Sequence, residues 1–171
     1  MLYHEIANAG GQRLAYVRTN EWKDRIILFF HGFCGSKEYF PDIVNDADIC
    51  IVSFDRPGVG ESAVEPYYSM ESFLANVYSV LKDHNVQSVK VIGHSAGVCH
   101  DAYALCQKRD DLTISKEIPV YVWHGTKDTT TPLSYTAFFK TRYNVQKEHI
   151  IENIGHMLYM PYWQAIVEEA K

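Results

Sequence analysis

Gly93-His94-Ser95-Ala96-Gly97 follows the β-branched run Val89-Lys90-Val91-Ile92 and puts a serine between two glycines where a strand would give way to a helix. That is the G-x-S-x-G pattern of a strained turn that lifts a serine hydroxyl above a sheet, and the glycines leave space where Cβ atoms would collide. Ser95 is therefore the candidate nucleophile. A serine hydroxyl is a weak nucleophile at neutral pH, so a base must take its proton as it attacks a carbonyl, and a carboxylate must hold that base in one tautomer. Eight histidines compete for the role of base: His4, His31, His84, His94, His100, His124, His149 and His156.

Other chemistries find less support. Asp55-Arg56-Pro57-Gly58-Val59-Gly60-Glu61-Ser62 is close to a dinucleotide fingerprint, but Ala63 stands at the third glycine position and no helix starts at once. Cys34, Cys50, Cys99 and Cys106 show no C-x-x-C spacing, so neither a zinc site nor a disulfide framework is expected. No metal or cofactor is called for. The four cysteines are expected to be reduced thiols, mostly in the core, the alternative being a reactive Cys34 beside His31-Gly32-Phe33. A net charge of −5 with scattered basic residues argues against a nucleic-acid surface. The start of the chain does not resemble a signal peptide and no apolar run nears the roughly 18 residues of a membrane span. A soluble, cytoplasmic protein is the expectation.

The elements that must hold Ser95 are legible from periodicity. At 171 residues, 47% of them hydrophobic, the chain is expected to form one domain, residues 1–171, able to bury roughly 70% of its unfolded surface. Tyr3 to Ala7 and Arg13 to Arg18 flank Asn8-Ala9-Gly10-Gly11 and predict an antiparallel hairpin at a sheet edge. Arg25-Ile26-Ile27-Leu28-Phe29-Phe30 is a continuous apolar strand, as in a sheet buried on both faces. A short helix over about 38–45 and a strand over 48–54 follow. Ser69 is a candidate N-cap for a helix whose Phe73, Val77, Val80 and Leu81 share one face. After the Val89 strand come a helix over 98–108, a strand from Pro119 to a turn at Asp128, a helix from Leu133 to Arg142 and a strand over 148–152. Pro161 opens a closing helix. Alternating strands and helices predict an α/β fold: a mostly parallel twisted sheet with helices on both faces, plus the N-terminal antiparallel hairpin.

In order along the chain, the strand ending in His31-Gly32-Phe33, Asp55-Arg56-Pro57-Gly58-Val59-Gly60-Glu61-Ser62, the serine turn, His124-Gly125-Thr126-Lys127-Asp128 and Gly155-His156 together resemble the α/β-hydrolase fold superfamily. Its order of nucleophile, acid and histidine is met by Ser95, Asp128 and His156. The resemblance implies that His156 is the base and Asp128 its carboxylate, while the bland role for Asp128 is to cap its own turn. It assigns the oxyanion donors to the backbone N–H groups of Phe33 and Ala96. His31 and His124, each before a glycine at a strand end, are expected to be structural hydrogen-bonders. Tyr39, Met157, Leu158 and Tyr159, with Phe33, are candidates to wall an apolar pocket, or else plain core.

The chain departs from capped relatives between Ser95 and Asp128, where only 32 residues lie. One central strand and the cap are expected to be absent, which makes this a minimal, capless version of the fold. Two arrangements follow: the Val120 strand lies directly beside the Val89 strand, or the gap is filled by a second copy through strand exchange or a sheet edge, giving a homodimer. A serine nucleophile disfavours relatives that need an aspartate there, such as dehalogenases and epoxide hydrolases. The expected activity is hydrolysis of a small carboxylic ester or thioester through an acyl-enzyme. The alternatives are a non-catalytic protein that binds a ligand or partner, and carbon–carbon bond chemistry with the same three residues.

Overall fold

The structure, a computed structural model, describes residues 2–39, 41, 47–95, 97 and 118–171. The chain falls into two compact units, Met1–Leu105 with Val167–Lys171, and Cys106–Ile166. The elements in order are β1 (Tyr3–Ala9), β2 (Gln12–Arg18), β3 (Arg25–Phe30), β4 (Ile51–Phe54), α1 (Met70–Asp83), β5 (Ser88–Gly93), β6 (Pro119–Gly125), α2 (Tyr135–Arg142), β7 (Asn144–Ile151) and α3 (Tyr159–Ala170). The helices expected over 38–45 and 98–108 fall largely or wholly outside the described residues. Among the described residues no helix is long and apolar enough to cross a membrane.

The first unit holds a five-stranded sheet in the order β1-β2-β4-β3-β5. The predicted hairpin forms its edge: Ala9 pairs with Gln12 across Gly10 and Gly11, whose φ values of 58° and 78° are those a two-residue primed turn requires. β3 runs parallel to both β4 and β5, which leaves it interior to the sheet. Its apolar run is buried throughout: Ile26, Leu28 and Phe30 join the main core, and Ile27 and Phe29 are buried as well. Phe30 is paired with Gly93, so β3 and β5 end level with one another. The loops that leave them are thereby neighbours.

Helix α1 closes the core with the four side chains its periodicity singled out, Phe73, Val77, Val80 and Leu81. Burying each contributes roughly 1.5–3 kcal/mol. Ser69 caps it through a reciprocal pair: its hydroxyl accepts from the Ser72 N–H at 3.1 Å and the Ser72 hydroxyl accepts from the Ser69 N–H at 3.2 Å. At the other end Asn85 sits at φ 56°, with Val86 N–H donating to Leu81 O and Asn85 N–H to Lys82 O, the 6→1 and 5→2 bonds that stop a helix.

In the second unit β6 and β7 form a parallel pair that shifts register between Val120 and Tyr121. The pairing described for β6 is with β7, and that for β5 is with β3. β7 begins at Asn144, earlier than the apolar pattern indicated, because pairing along all of β6 recruits the polar stretch Gln146-Lys147-Glu148. α3 starts at Tyr159, two residues before Pro161. A proline is tolerated there because the first-turn N–H groups have no intrahelical partner.

Candidate active site

The serine turn grows out of β5. His94 N–H donates to Phe30 O at 3.0 Å, which carries the β3–β5 ladder one residue past Gly93. Ser95 then turns to φ 53°, a left-handed conformation that costs a side-chain-bearing residue of order 1–3 kcal/mol and persists only where its surroundings impose it. Gly97 N–H closes the turn onto His94 O at 2.9 Å. A Cβ on Gly97 would run into the Phe30 and His31 carbonyls, so the second glycine of the motif is required by close backbone approach. Ala96, expected to supply one oxyanion donor, lies outside the described residues.

The loop after β3 supplies the other expected donor. Gly35 N–H donates to Gly32 O at 3.2 Å and Cys34 sits at φ 59°, so residues 32–35 make a tight turn with Phe33 at its tip. The Phe33 side chain is 85% exposed, which leaves its backbone as the contribution to the loop's geometry. This turn faces the serine: a Cβ on Gly32 would lie 3.0 Å from His94 Nδ1 and 3.3 Å from Ser95 Cβ.

Beside this turn stands the Asp55–Ser62 motif, to which the sequence assigned a place in the family resemblance but no role in the site. Asp55 is fully buried and accepts from both Lys37 N–H at 2.7 Å and Lys37 Nζ at 2.9 Å. Burial works to lower the Lys37 ammonium pKa, but the hydrogen bond and charge of Asp55, joined by Glu61, outweigh it and raise it. Ser62 Oγ donates to Asp55 O at 2.9 Å and accepts from Ala15 N–H at 3.0 Å, tying the end of the motif to β2.

The second unit holds the acid and the histidine together. Asp128 divides its carboxylate: Oδ1 accepts from the Thr130 and Thr131 N–H groups at 2.8 Å each, and Oδ2 accepts from His156 Nδ1 at 2.8 Å. The turn-cap role and the partner role are both filled, one by each oxygen. Burial works to raise the Asp128 carboxyl; the Thr131 amide, the His156 ring and the Thr130 amide outweigh it and hold its pKa below the ordinary aspartate value. With a hydrogen on Nδ1 given to Asp128, the Nε2 nitrogen of His156 is the one able to accept.

Both loops of this pair are fixed by backbone. Thr126 N–H donates to Ile151 O and Lys127 N–H to Ile154 O, each at 2.9 Å, and Asn153 N–H donates to Thr126 Oγ1 at 3.0 Å. A Cβ on Gly125 would meet the Ile154 carbonyl, which explains the glycine after His124. His124 Nε2 donates to Thr131 O at 2.9 Å and lies 3.8 Å from Asp128 Oδ2, closing the acid's turn as a structural hydrogen-bonder.

The remaining candidates separate by burial. Leu158 and Tyr159 are buried, with Tyr159 edge-on to Trp163, while Tyr39 and Met157 are partly exposed. His84 stacks on Trp22 and His149 on Trp123, at ring separations of 4.1 and 3.8 Å. Cys34 is exposed; Cys50 is buried, and burial pushes its thiol up to about 11. Among the described residues no three His, Cys, Asp or Glu side chains group so as to hold a metal ion. Of the expected site residues, then, Ser95 lies in the first unit against Gly32, the residue before Phe33, and Asp128 and His156 meet in the second.

The family model for the alpha/beta hydrolase fold matches residues 25–112, just over half of the chain. No curated protein matches it. Among solved structures the chain is similar to an alpha/beta hydrolase fold protein from Chitinophaga pinensis, with a TM-score of 0.78 and 11% identity over 97% of this chain and 94% of that one. It is also similar to a CIB-like hydrolase from Thermoplasma acidophilum, with a TM-score of 0.74 and 18% identity over 99% and 95%. A third similar structure is Est1E from Butyrivibrio proteoclasticus with ferulic acid bound, with a TM-score of 0.67 and 14% identity over 97% and 98%.

Proposed function

Since the chain belongs to the alpha/beta hydrolase fold family, we propose that it is a serine hydrolase that cleaves small carboxylic esters or thioesters through an acyl-enzyme. The observation that carries this reading is the 2.8 Å bond from His156 Nδ1 to Asp128 Oδ2, made while the other carboxylate oxygen is occupied by its own turn. A carboxylate held on both oxygens cannot swing away, so it fixes one tautomer and one ring orientation.

In this scheme the Ser95 hydroxyl attacks the substrate carbonyl carbon as His156 Nε2 takes its proton. The tetrahedral oxyanion is met by the Phe33 and Ala96 N–H groups, donors of a kind whose individual loss costs about 10²–10³ in rate. Collapse expels the alcohol or thiol, which receives the proton from His156 and leaves an acyl group on Ser95. Water, deprotonated by the same imidazole, attacks that ester and releases the carboxylic acid, restoring the serine. The left-handed backbone of Ser95 supports this role, since strain of that kind is retained where a side chain must be presented.

The test is hydrolysis of p-nitrophenyl acetate by the wild type and by Ser95→Ala. Turnover abolished by the substitution is the expected result. Equal slow hydrolysis by both proteins leaves a non-catalytic binding protein as the better reading.

A further inference from the structure

We propose that Arg56 is a positioning residue for the oxyanion site: its guanidinium holds the His31 and Gly32 carbonyls so that the Phe33 N–H is aimed where a substrate's oxyanion forms. The proposal rests on the hydrolase reading above and assigns a role to a residue that reading does not use.

β3 and β4 are parallel, with Phe29 opposite Ser53, so residues just past the end of β4 lie beside residues just past the end of β3. Asp55 and Arg56 therefore stand next to the loop that starts at His31. Pro57 restricts the backbone of the residue before it to extended conformations, which limits where the Arg56 side chain can go.

The guanidinium reaches across 24 and 25 positions of sequence to this loop. Nη2 donates to His31 O at 2.6 Å and Nη1 donates to Gly32 O at 3.3 Å. Nη1 also lies 3.0 Å from His31 Nδ1, which in turn lies 2.9 Å from Gly32 O; the ring nitrogen accepts from the guanidinium in one tautomer and donates to the carbonyl in the other.

Peptide planarity turns this grip into an aim. The Gly32 carbonyl and the Phe33 N–H belong to one trans peptide unit, so they point in opposite directions within one plane. Gly32 O is held by Arg56 Nη1 and by the Gly35 N–H. Fixing that oxygen fixes the Phe33 N–H to the opposite side, away from Arg56. The neighbouring Asp55 secures the far end of the same loop at Lys37. Two adjacent residues thus clamp both ends of the 31–37 segment, and Arg56 has the end that carries the donor.

A lysine cannot replace this arrangement, because a single ammonium does not present a planar fork to two carbonyls at once. In p-nitrophenyl acetate hydrolysis, Arg56→Lys and Arg56→Gln are expected to lower kcat about tenfold to a hundredfold, short of or equal to the loss of an oxyanion donor. KM should stay within about twofold of wild type, since a donor that matters most to the oxyanion contributes little to ground-state binding. Affinity for a trifluoromethyl ketone, which forms the oxyanion adduct, should weaken in step with kcat. Amide hydrogen exchange at Gly35 should accelerate in both variants, a readout independent of turnover. Wild-type kcat and wild-type Gly35 exchange in Arg56→Lys overturn the proposal, as does a fall in kcat with no change in ketone affinity. Loss of the hydrolase reading itself looks different: the wild type then shows no Ser95-dependent turnover, and Arg56 has no oxyanion to serve.

Discussion

His156 and Asp128 are joined by a 2.8 Å hydrogen bond that leaves Asp128 no spare oxygen, because its second one is bound to two backbone amides of its own turn. An asparagine at this position can keep the turn only by directing its oxygen to the amides, which presents an NH₂ group to His156 Nδ1. The ring then gives up its Nδ1 hydrogen or turns away, and the base is in the wrong tautomer. Asp128→Asn is expected to lower kcat for p-nitrophenyl acetate by about 10³–10⁴, checked against a wild-type far-ultraviolet circular dichroism spectrum.

The same bonds set a pH dependence of stability. Asp128 has a folded-state pKa below its ordinary value of 3.8, so the stability it supplies is fully present above that value and is lost as pH falls through the lower folded one. The Tm difference between wild type and Asp128→Asn should be largest near neutrality and shrink below about pH 4. Thermal melts at pH 7, 5 and 3 measure it; a difference that grows on acidification contradicts the assignment.

The left-handed serine carries a stability cost that can be read out directly. Ser95→Ala keeps a Cβ at φ 53° and keeps the strain, whereas Ser95→Gly removes it. After allowing for the greater chain entropy of glycine when unfolded, Ser95→Gly should be more stable than Ser95→Ala by about 1 kcal/mol in urea denaturation. Ordinarily the glycine variant is the weaker one.

The core of the first unit depends on α1. Phe73 is buried to 1% exposure in the core cluster that α1 closes, and Phe73→Ala should cost about 3–5 kcal/mol. Ser69→Ala, which removes one side of the reciprocal cap, should cost about 1 kcal/mol. Urea midpoints at constant slope test both.

Much of this was legible in the sequence because local chemistry decided it. The run at 25–30 is apolar on both faces and became an interior strand; the turn expected over Asn8-Ala9-Gly10-Gly11 narrowed to its two glycines, because Asn8 and Ala9 pair in the hairpin; the serine between glycines took the strained backbone the pattern implies. What was hidden depends on partners far along the chain. The polar start of β7 is a strand only because β6 pairs with it, and nothing in Val120 or Val89 says which strands theirs pair with. Arg56 looked like part of a turn motif, since its partners are backbone carbonyls 24 and 25 positions away, which carry no side-chain signature. Asp128 offered two readings, a cap of its own turn and a partner of His156, and its two oxygens make one contact of each kind.

The central claim is that His156 activates Ser95, and the most direct measurement is the rate at which a fluorophosphonate probe labels the protein, with the site identified by peptide mass spectrometry. The account predicts labelling at Ser95, slowed by at least about 10³ in His156→Gln. Labelling of both proteins at the same rate, or wild-type labelling at any residue other than Ser95, contradicts it.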